Sequence, residues 1–391
     1  MANNNLTEAK RAKNDEFYTQ WHDIEKEISA YLEYNPDVFL NKTILLPCDD
    51  PEWSNFTKYF AQNFERFGLK KLISTSFAYN SKTYKGGYQA TLFEINDPQF
   101  DEIKTIKNGK IYTLSHDKNS DHKVNVEYLK WHYLKGDGDF KSAEIKKLRD
   151  ESDIIITNPP FSLFREFLAW IVEANKQLLI IGNINAITYK EVFPLIKENK
   201  LWLGATGNGS DMVFAIPAGS EVAESDKQKA ARLGYVGDYT RLGNSCWFTN
   251  FDHGRRHQPL PLMTMTDNLK HSKHKGIKGK NAYDVYDNYD AIEVPLVKNI
   301  PSDYEGVMGV PITFLDKYSP EQFEIVGMCE NEDLYNLKSK VYTTAECKQA
   351  YIAKFEKKGT YDLNVRGVIV RNGLLEAVYQ RILIKHRKTT K

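Results

Sequence analysis

The residues with the clearest chemical potential are Asn158-Pro159-Pro160-Phe161, which follow an apolar run at residues 154–156. Two prolines in series fix a rigid turn, because each ring locks its backbone φ and removes an N–H donor. The Asn158 side chain and the two proline carbonyls offer acceptors, and Phe161 offers an apolar ring face. The pattern therefore suits a planar amine that needs acceptors for its hydrogens and a ring to stack on. The alternative is a tight loop that only caps a strand, since Asn-Pro-Pro sequences also occur by chance.

Strand-like and helix-like segments alternate along the first 200 residues, and they must position this turn. Buried strands are predicted at residues 43–46, 71–75, 153–157 and 177–181, and a hairpin at residues 88–95 and 110–114. Apolar residues at helical spacing predict helices between the first two strands and after residue 161. This alternation is typical of an α/β protein with a doubly wound parallel sheet. Ligands bind such a sheet at the carboxyl ends of its strands, where residues 158–161 lie.

Composition sets the broad class of the protein. A length of 391 residues is sufficient for two domains. A composition of 41% hydrophobic and 27% charged residues can fill hydrophobic cores and excludes wholesale disorder. No uncharged apolar run approaches the roughly 18 residues of a membrane span, and the N-terminus lacks the apolar stretch of a secretory signal. Four cysteines lie far apart, without the spacing of a zinc site. We predict a cytoplasmic protein that binds no metal and no membrane. The composition is compatible with a monomer.

Charge is distributed unevenly about residue 250. The formal net charge of +1 argues, by itself, against a strongly basic surface for nucleic acid. Residues 1–250 hold 31 basic and 34 acidic residues, whereas residues 251–391 hold 22 basic and 18 acidic residues. The second part opens with a stretch rich in Pro, Lys and His. We therefore predict two domains, residues 1–250 and residues 251–391, with the basic charge in the second.

Five segments form a wider pattern than the single turn. They are residues 14–20 (NDEFYTQ), 46–51 (LPCDDP), 135–140 (KGDGDF), 156–161 (ITNPPF) and 309–315 (GVPITFL). In sequence and in order they resemble the adenine-specific DNA methyltransferases of the EcoRI methylase family, over most of the chain. The resemblance implies a Rossmann-like S-adenosylmethionine-dependent methyltransferase sheet, followed by a C-terminal target-recognition region. It also implies double-stranded DNA as the partner and N6-methyladenine as the product, as in restriction–modification systems.

The resemblance further implies which residues form the site. They are Asn158, Pro159, Pro160 and Phe161 for catalysis, and Phe17, Tyr18, Thr19, Pro47, Cys48, Asp49, Asp50, Asp139 and Phe140 for cofactor binding. Asp49 and Asp50 would accept hydrogen bonds from the ammonium group of the cofactor. Asp139 would accept from an adenine amine, and Phe140 would pack on the ring.

Several of these assignments have structural alternatives. Asp49 or Asp50 could form an Asx turn and cap a helix that begins near Glu52. Asp139 could cap a helix over residues 141–149, and the segment from residue 17 could be the apolar start of a helix.

The sequence also departs from the general methyltransferase pattern at two places. Residues 47–51 stand where most of these enzymes carry a glycine-rich loop after the first strand. Residues 74–76 (Ser-Thr-Ser) stand where an acid commonly holds the ribose hydroxyls, so a hydroxyl or another group must make that contact.

The resemblance implies a mechanism for the turn. The exocyclic amine of adenine is a poor nucleophile because its lone pair is delocalised into the ring. The Asn158 side-chain oxygen and the Pro159 carbonyl would accept its two hydrogens, favour a tetrahedral nitrogen and stabilise its developing charge. Phe161 would stack on an adenine flipped out of the duplex. No general base is required before methyl transfer.

Basic residues in the second part are candidates for DNA contact through phosphates. They are Arg255, Arg256, Lys273, Lys275 and Lys278. A solvated lysine-rich loop is the commoner explanation for residues 270–280, but the glycines of this segment favour a mobile loop that becomes ordered on DNA. Tyrosines at three-residue spacing (Tyr283, Tyr286 and Tyr289) predict an exposed turn with some packing.

Other functions fit the same residues. Asn-Pro-Pro motifs also serve methyltransferases that act on RNA adenine or on protein glutamine amides, although a second domain of about 140 residues favours a large nucleic-acid target. The departures at residues 47–51 and 74–76 fit a non-catalytic DNA-binding protein that kept the fold. Binding of S-adenosylmethionine would separate this last class from an enzyme.

Overall fold

The computed structural model describes residues 17–47, 49–50, 54–78, 97–115, 130–206, 212–216 and 222–387. The chain divides into two units. Unit 1 contains residues 1–196 and 200–254, and unit 2 contains residues 197–199 and 255–391. The first strand of the predicted hairpin, at residues 88–95, lies outside the described residues, as does Cys48.

Eleven strands are described in unit 1. They are β1 (Tyr18–Thr19), β2 (Thr43–Leu46), β3 (Lys71–Thr75), β4 (Lys110–Ser115), β5 (Lys130–Tyr133), β6 (Ile154–Thr157), β7 (Gln177–Asn183), β8 (Trp202–Leu203), β9 (Met212–Ala215), β10 (Tyr239–Leu242) and β11 (Ser245–Thr249). Eight of them form one sheet in the order β5-β4-β3-β2-β6-β7-β11-β8, and β1, β9 and β10 form a second sheet in the order β1-β9-β10.

The large sheet is mixed. Its four central strands, β3, β2, β6 and β7, are parallel to one another. The outer pairs β3–β4, β4–β5, β7–β11 and β11–β8 are antiparallel. The predicted parallel sheet is therefore correct for the centre and wrong for both edges. Apolar runs in the sequence report burial and not strand direction, because parallel and antiparallel pairs can both be covered on two faces.

Helices cover the sheet of unit 1 and connect its strands. The helices up to residue 254 are α1 (Trp21–Tyr34), α2 (Asn55–Gln62), α3 (Glu102–Lys107), α4 (Ala143–Glu151), α5 (Phe164–Glu173), α6 (Phe193–Lys197) and α7 (Glu224–Arg232). Residues of α1 and α2 pack on Ile44, Ile154 and Leu179 in the main hydrophobic core. Helix α2 ends earlier than the aromatic spacing predicts, and turns carry the chain on to Gly68, whose φ of +60° suits glycine.

The connections of the large sheet create a ligand-binding edge. From β2 the chain moves to β3 on one side, and β6 and β7 lie on the other side. The carboxyl ends of β2 and β6 therefore meet where the strand order reverses, which is where open α/β sheets bind ligands. Residues 47–50 follow β2, and residues 158–161 follow β6. The Thr157 hydroxyl joins the two loops by donating to the Pro47 carbonyl (2.8 Å).

Unit 2 is built on a smaller sheet. Its strands are β12 (Ile292–Glu293), β13 (Met308–Pro311), β14 (Phe323–Met328), β15 (Val368–Arg371), β16 (Leu374–Ala377) and β17 (Arg381–His386), and its helices are α8 (Met265–His271) and α9 (Thr344–Phe355). Four strands form a sheet in the order β12-β13-β17-β14, and β15 pairs with β16.

The tyrosines of unit 2 correct a prediction. Tyr283, Tyr286 and Tyr289 are buried, at 5%, 5% and 2% exposure, and do not form an exposed turn. The Tyr283 hydroxyl donates to the Asn299 carbonyl (2.8 Å), and Tyr286 donates to Glu293. A three-residue spacing does not distinguish an exposed turn from one whose rings are covered by distant strands.

Among the described residues, no helix is long and apolar enough to cross a membrane.

Candidate functional site

The side-chain amide of Asn158 has one end anchored and one end unused. Its Nδ2 donates to the main-chain carbonyl of Phe17 (2.7 Å). Because a carbonyl can only accept, this bond fixes which end of the amide is the oxygen. Oδ1 is buried and receives no hydrogen bond from any described residue. The turn after β6 therefore presents a fixed acceptor that has no donor.

The two prolines differ in how their carbonyls are used. The Pro160 carbonyl accepts from the Leu163 amide (2.9 Å) at the start of a 3-10 helix, Phe161–Leu163. This corrects the expectation that both proline carbonyls are available. The Pro159 carbonyl has no donor among the described residues, so it and Asn158 Oδ1 are the two acceptors of the turn.

Three aromatic rings pack beside these acceptors. The half-buried ring of Phe161 lies 5.8 Å from that of Phe17 and 6.4 Å from that of Phe214, between centroids. Phe214 is fully buried, and its strand β9 pairs with β1 so that Phe214 faces Thr19. The sequence analysis did not identify Phe214. In the sequence, Phe214 is recognisable only as part of a short apolar strand. Nothing local to it predicts contact with the turn at residues 158–161, more than fifty residues earlier.

The segment that begins at Phe17 is a strand and not a helix start. Tyr18 and Thr19 form β1, and helix α1 begins only at Trp21. The Asn55 side chain of α2 donates to the Thr19 carbonyl (2.8 Å). The Thr19 hydroxyl oxygen is buried and has no hydrogen-bond partner among the described residues. The structure thus brings residues 17–19 to the turn at residues 158–161.

Asp49 is a buried carboxyl with one satisfied oxygen. Its Oδ1 accepts from the Ser54 hydroxyl (2.6 Å), whereas no described residue donates to Oδ2. Burial raises the pKa of Asp49 to about 7, although the hydrogen bond from Ser54 opposes this rise. Near neutral pH the carboxyl is therefore poised between its two protonation states, and a cationic donor at Oδ2 would favour the charged state.

Hydroxyl groups hold the loop that carries Asp49. Thr57 donates to the Asp49 carbonyl (3.0 Å), and Ser74 donates to the same oxygen. These bonds fix the main chain at Asp49. Sequence reasoning missed Thr57, and it noted Ser74 only as a departure from the family pattern.

Neither Asp49 nor Asp50 is the N-cap of α2. The N-cap of α2 is Ser54, whose hydroxyl accepts from the Phe56 amide (3.1 Å). Asp50 is half-buried, and its main-chain carbonyl accepts from the Ser54 amide (2.6 Å). The predicted cap is therefore wrong for α2, whereas an Asx turn near Glu52 falls on residues outside the described ones.

Asp139 and Phe140 lie in the turn before α4. Asp139 Oδ1 accepts from the Lys141 amide (2.8 Å), but Ser142 is the N-cap of the helix, so the capping alternative for Asp139 is wrong. Phe140 is only 2% exposed, and its ring packs on Phe167 (5.1 Å between centroids). Its ring belongs to the core, and contact with a bound adenine stays a prediction.

The two arginines predicted to contact DNA are engaged within unit 2. Arg255 forms an ion pair with Asp316 (2.6 Å). Arg256 is buried, at 6% exposure, and donates to the Asn199 side chain (2.5 Å). Arg256 is therefore held within unit 2, and its contact with DNA stays a prediction.

The lysine-rich segment forms hydrogen-bonded turns anchored by a buried residue. Ile277 is fully buried, and its amide donates to the His274 carbonyl (2.9 Å). This corrects the expectation that the segment is ordered only on DNA. Lys273, Lys275 and Lys278 are exposed on these turns.

The segment at residues 309–315 lies in unit 2, in β13 and the 3-10 helix Ile312–Lys317. Pro311, Ile312 and Thr313 line a cavity of about 380 Å³ together with Tyr379. In the part of the chain that the structure describes, no group of three or more His, Cys, Asp or Glu side chains could hold a metal ion.

The site as a whole consists of unpaired acceptors. Thr19 Oγ1, Asp49 Oδ2 and Asn158 Oδ1 come from three segments that hydrogen bonds join at one edge of the sheet, and none has a described donor. A buried acceptor without a donor costs about 1–3 kcal/mol. Such a cluster is suited to a ligand that brings N–H donors, such as an amine or an ammonium group.

Comparisons with known proteins agree with this chemistry. Residues 5–387 match the family described as adenine-specific methyltransferase EcoRI. The chain is 42% identical to the type II methyltransferase M.EcoRI of Escherichia coli over 329 residues, which cover 84% of this chain and 90% of that protein. It is 34% identical to the type II methyltransferase M.MpnI of Mycoplasma pneumoniae, over 85% of this chain and 89% of that protein. No solved structure matches.

A third relative, the type II methyltransferase M.MgeORF184P of Mycoplasma genitalium, is 34% identical over 83% of this chain and 86% of its own length. The mixed α/β sheet of unit 1 is compatible with a methyltransferase fold. The resemblance predicted from five short segments is confirmed, and the chain belongs to the EcoRI family of adenine-specific methyltransferases.

Proposed function

We propose that the protein is a sequence-specific DNA adenine N6-methyltransferase, which transfers a methyl group from S-adenosylmethionine to an adenine flipped out of double-stranded DNA. The observation that carries the proposal is the amide of Asn158, anchored through Nδ2 on the Phe17 carbonyl while its buried Oδ1 has no described donor. An acceptor fixed in this way can receive one hydrogen of a substrate amine without reorienting.

The turn supplies acceptors for both hydrogens of the adenine amine. Asn158 Oδ1 accepts one, and the Pro159 carbonyl accepts the other. Held so, the nitrogen becomes tetrahedral and its lone pair is released from the ring. The positive charge that develops on nitrogen is stabilised by two dipoles that are already oriented. The Asn158–Phe17 hydrogen bond keeps one of them in place throughout the reaction.

Aromatic side chains hold the adenine ring. Flipping a base out of a duplex costs a few kcal/mol, and stacking on an aromatic side chain returns about 1–3 kcal/mol per base. Phe161 is half-buried and is supported by Phe17 and Phe214, so its ring is held in one orientation. It therefore stacks on the adenine without first having to be ordered.

The residues at the carboxyl end of β2 fit the cofactor. S-adenosylmethionine supplies an electrophilic methyl group on a sulfonium centre when it is bound. Asp49 Oδ2 is a buried carboxyl oxygen without a described donor, and it accepts from the cofactor's ammonium group. Thr57 and Ser74 hold the main chain of Asp49, and Ser54 holds its other carboxyl oxygen.

Unit 2 supplies target recognition in this proposal. Lys273, Lys275 and Lys278 are exposed and have no ion-pair partner among the described residues, so they can contact phosphates. Relatives that share 34–42% of their residues are named type II methyltransferases. We therefore assign the protein to modification of DNA in a restriction–modification setting.

Single-molecule sequencing of DNA from cells that express the protein tests the proposal. We expect N6-methyladenine in one short sequence with the wild type and none with Asn158→Ala. Absence of methyladenine from wild-type cells, in every sequence context, would overturn the proposal. Calorimetry with S-adenosylmethionine then separates an enzyme from a non-catalytic binder, and labelled cofactor with RNA or a glutamine peptide tests the other substrates.

A further inference from the structure

The carboxyl edge of the large sheet carries a second feature, beside the site already described. Strands β6 and β7 are parallel neighbours, so the segments that follow them leave the sheet at the same edge. The 3-10 helix Phe161–Leu163 and α5 follow β6, and the 3-10 helix Ile184–Thr188 follows β7. Ala186 and Ile187 are buried at 1% exposure each and anchor this second segment.

A cation and an aromatic ring from these two segments meet at the surface. The guanidinium carbon of Arg165, in the first turn of α5, lies 5.4 Å from the ring centroid of Tyr189. Arg165 is exposed and Tyr189 is 37% exposed. Lys190, the next residue, is also exposed. We call Arg165, Tyr189 and Lys190 the Arg165 patch.

Close packing fixes the two segments against each other. A Cβ added at Gly182, near the end of β7, would lie 2.3 Å from Cε2 of Phe164, the first residue of α5. Only glycine allows this approach of strand and helix. The positions of Arg165 and Tyr189 therefore follow from packing below them and not from their own contact alone.

Arg165 is unfavourably placed for the stability of its own helix. The N-terminal turn of a helix carries partial positive charge, so a cation there is repelled. The neighbouring Glu166 is already paired with Lys141. Neither Arg165 nor Lys190 has an ion-pair partner among the described residues. An exposed cation that no acid neutralises is available to a ligand that brings negative charge.

The position of the patch identifies that ligand. Arg165 follows Phe161 by four residues, about 7 Å along the 3-10 and helical rise. A length of about 7 Å spans about two base-pair steps, each 3.4 Å along the axis of duplex DNA. Stacking on Tyr189 orients the planar guanidinium while its N–H edge remains free for bidentate contact with a phosphate.

We propose that the Arg165 patch binds backbone phosphates of the target DNA strand next to the flipped adenine. This inference rests on the proposed function, and it assigns to unit 1 a DNA contact that the sequence analysis expected only in residues 251–391. The patch would hold the strand while Asn158 and Phe161 hold the base.

Arg66 offers a matched control. It is also an exposed arginine over an aromatic ring, 5.7 Å from the centroid of Phe67. It lies in the turns between α2 and β3, and thus at the amino-terminal edge of the parallel strands, away from the site. Removal of Arg66 changes the net charge by the same amount as removal of Arg165.

Binding of the protein to a duplex that carries its methylation sequence, measured by fluorescence anisotropy between 50 and 200 mM salt, tests the inference. We expect Arg165→Ala to weaken binding about tenfold at low salt and to reduce the slope of log K against log salt by about 1. Arg66→Ala should match the wild type. Arg165→Lys should keep the salt slope, because charge is kept, but should bind a few-fold more weakly.

Methyl transfer separates this inference from the proposed function. At saturating duplex the single-turnover rate of Arg165→Ala should equal that of the wild type, while its KM for DNA rises. If the wild type methylates DNA but Arg165→Ala and Arg66→Ala bind the duplex equally well, phosphate binding by the Arg165 patch is overturned. The proposed methyltransferase function is unaffected by that result. If the wild type makes no methyladenine, the same measurement uses a duplex of arbitrary sequence; a lower salt slope for Arg165→Ala than for Arg66→Ala would then support the phosphate contact while the proposed function is overturned.

Discussion

Two asparagines, one in each unit and each with a buried side-chain oxygen, differ in how their side-chain amides are used. Asn288 of unit 2 is fully buried, and its Nδ2 donates to the Arg366 carbonyl (2.8 Å) while its Oδ1 accepts from the Val368 amide (2.9 Å). Asn158 of unit 1 makes only the first kind of bond, to Phe17 (2.7 Å), and leaves Oδ1 without a described donor.

Two buried carboxyl groups repeat this difference. Glu293 of unit 2 is 5% exposed, and its two oxygens accept from Arg381 (2.6 Å to Nη2) and from the Tyr286 hydroxyl. Asp49 of unit 1 is 7% exposed, and only one of its oxygens has a described donor. At nearly equal burial, both oxygens of Glu293 therefore have a donor, whereas only one oxygen of Asp49 has a described donor.

The difference separates structural polar groups from functional ones. A satisfied buried network stabilises one packing arrangement, and the loss of either partner leaves the other uncompensated. An unsatisfied buried acceptor costs stability in the free protein and is recovered only when a ligand supplies the donor. Substitutions in unit 2 should therefore change stability, and substitutions at the sheet edge should change catalysis or binding.

The largest effect is expected in unit 2. Arg381→Met leaves the Glu293 carboxylate buried without its cation, so the free energy of unfolding should fall by about 3–5 kcal/mol. Urea denaturation of the full chain measures this. The double variant Arg381→Met with Glu293→Leu removes both charges and should recover most of the loss. A single variant as stable as the wild type would contradict the structural role of this pair.

Asn158→Ala should show the opposite behaviour. Loss of one preorganised acceptor lowers the rate of methyl transfer about 10²–10³-fold, and single-turnover kinetics measure this. The free energy of unfolding should change by no more than about 1 kcal/mol, because one hydrogen bond is lost and one unpaired acceptor is removed.

Asn288→Ala is the matched control for that variant. It should keep the wild-type rate at low temperature but lose about 2–3 kcal/mol of stability, since it leaves a buried carbonyl and a buried amide unpaired. If both asparagine variants lost activity and stability in parallel, the distinction between the two units would be broken.

Asp49 should make cofactor binding depend on pH. Its pKa is raised to about 7, so below pH 7 a proton must leave before the carboxylate can pair with an ammonium group. Affinity for S-adenosylmethionine should therefore fall as pH decreases from 7, approaching tenfold per unit, or about 1.4 kcal/mol. Calorimetry between pH 5.5 and 7 measures this, and Asp49→Asn should bind weakly with a flat profile.

The same pKa has a consequence for stability with the opposite sign. A carboxyl whose pKa is raised on folding binds more protons in the folded state, so the free energy of unfolding decreases as pH rises from about 4 to about 7. Asp49→Asn removes this cost and should be more stable than the wild type at pH 8. A destabilised variant would indicate that Asp49 is structural, like Glu293.

Phe161→Leu is expected to have the smallest effect. Leucine keeps apolar contact with Phe17 and Phe214 but loses the flat face for stacking, which is worth about 1–3 kcal/mol per base. The rate at saturating DNA should fall about tenfold, less than for Asn158→Ala. Phe161→Tyr keeps a ring and should stay close to the wild type. Equal losses for leucine and tyrosine would argue against stacking.

Local sequence predicted much of the site. The apolar run before Asn158 and the two prolines after it predict a strand and a rigid turn, and both are present, because burial and proline geometry act within a few residues. Prediction was weaker for groups whose partners are distant. Arg256, Tyr286 and the lysine turns were expected at the surface or in a mobile loop, and packing buries or anchors them.

The sequence by itself determined the chemistry that is available: an asparagine and two proline carbonyls after a buried strand, a carboxyl after another strand, and a family resemblance that spans the chain. Only the tertiary structure decided which of these groups remain unpaired. The Phe17 carbonyl anchors the Asn158 side chain, although the two residues are 141 positions apart in the sequence. The Pro160 carbonyl accepts a hydrogen bond from the Leu163 amide, whereas the Pro159 carbonyl has no described donor. The residue type determines which hydrogen bonds a group can make. Whether an acceptor remains unpaired depends on which donors the fold places within hydrogen-bonding distance of it.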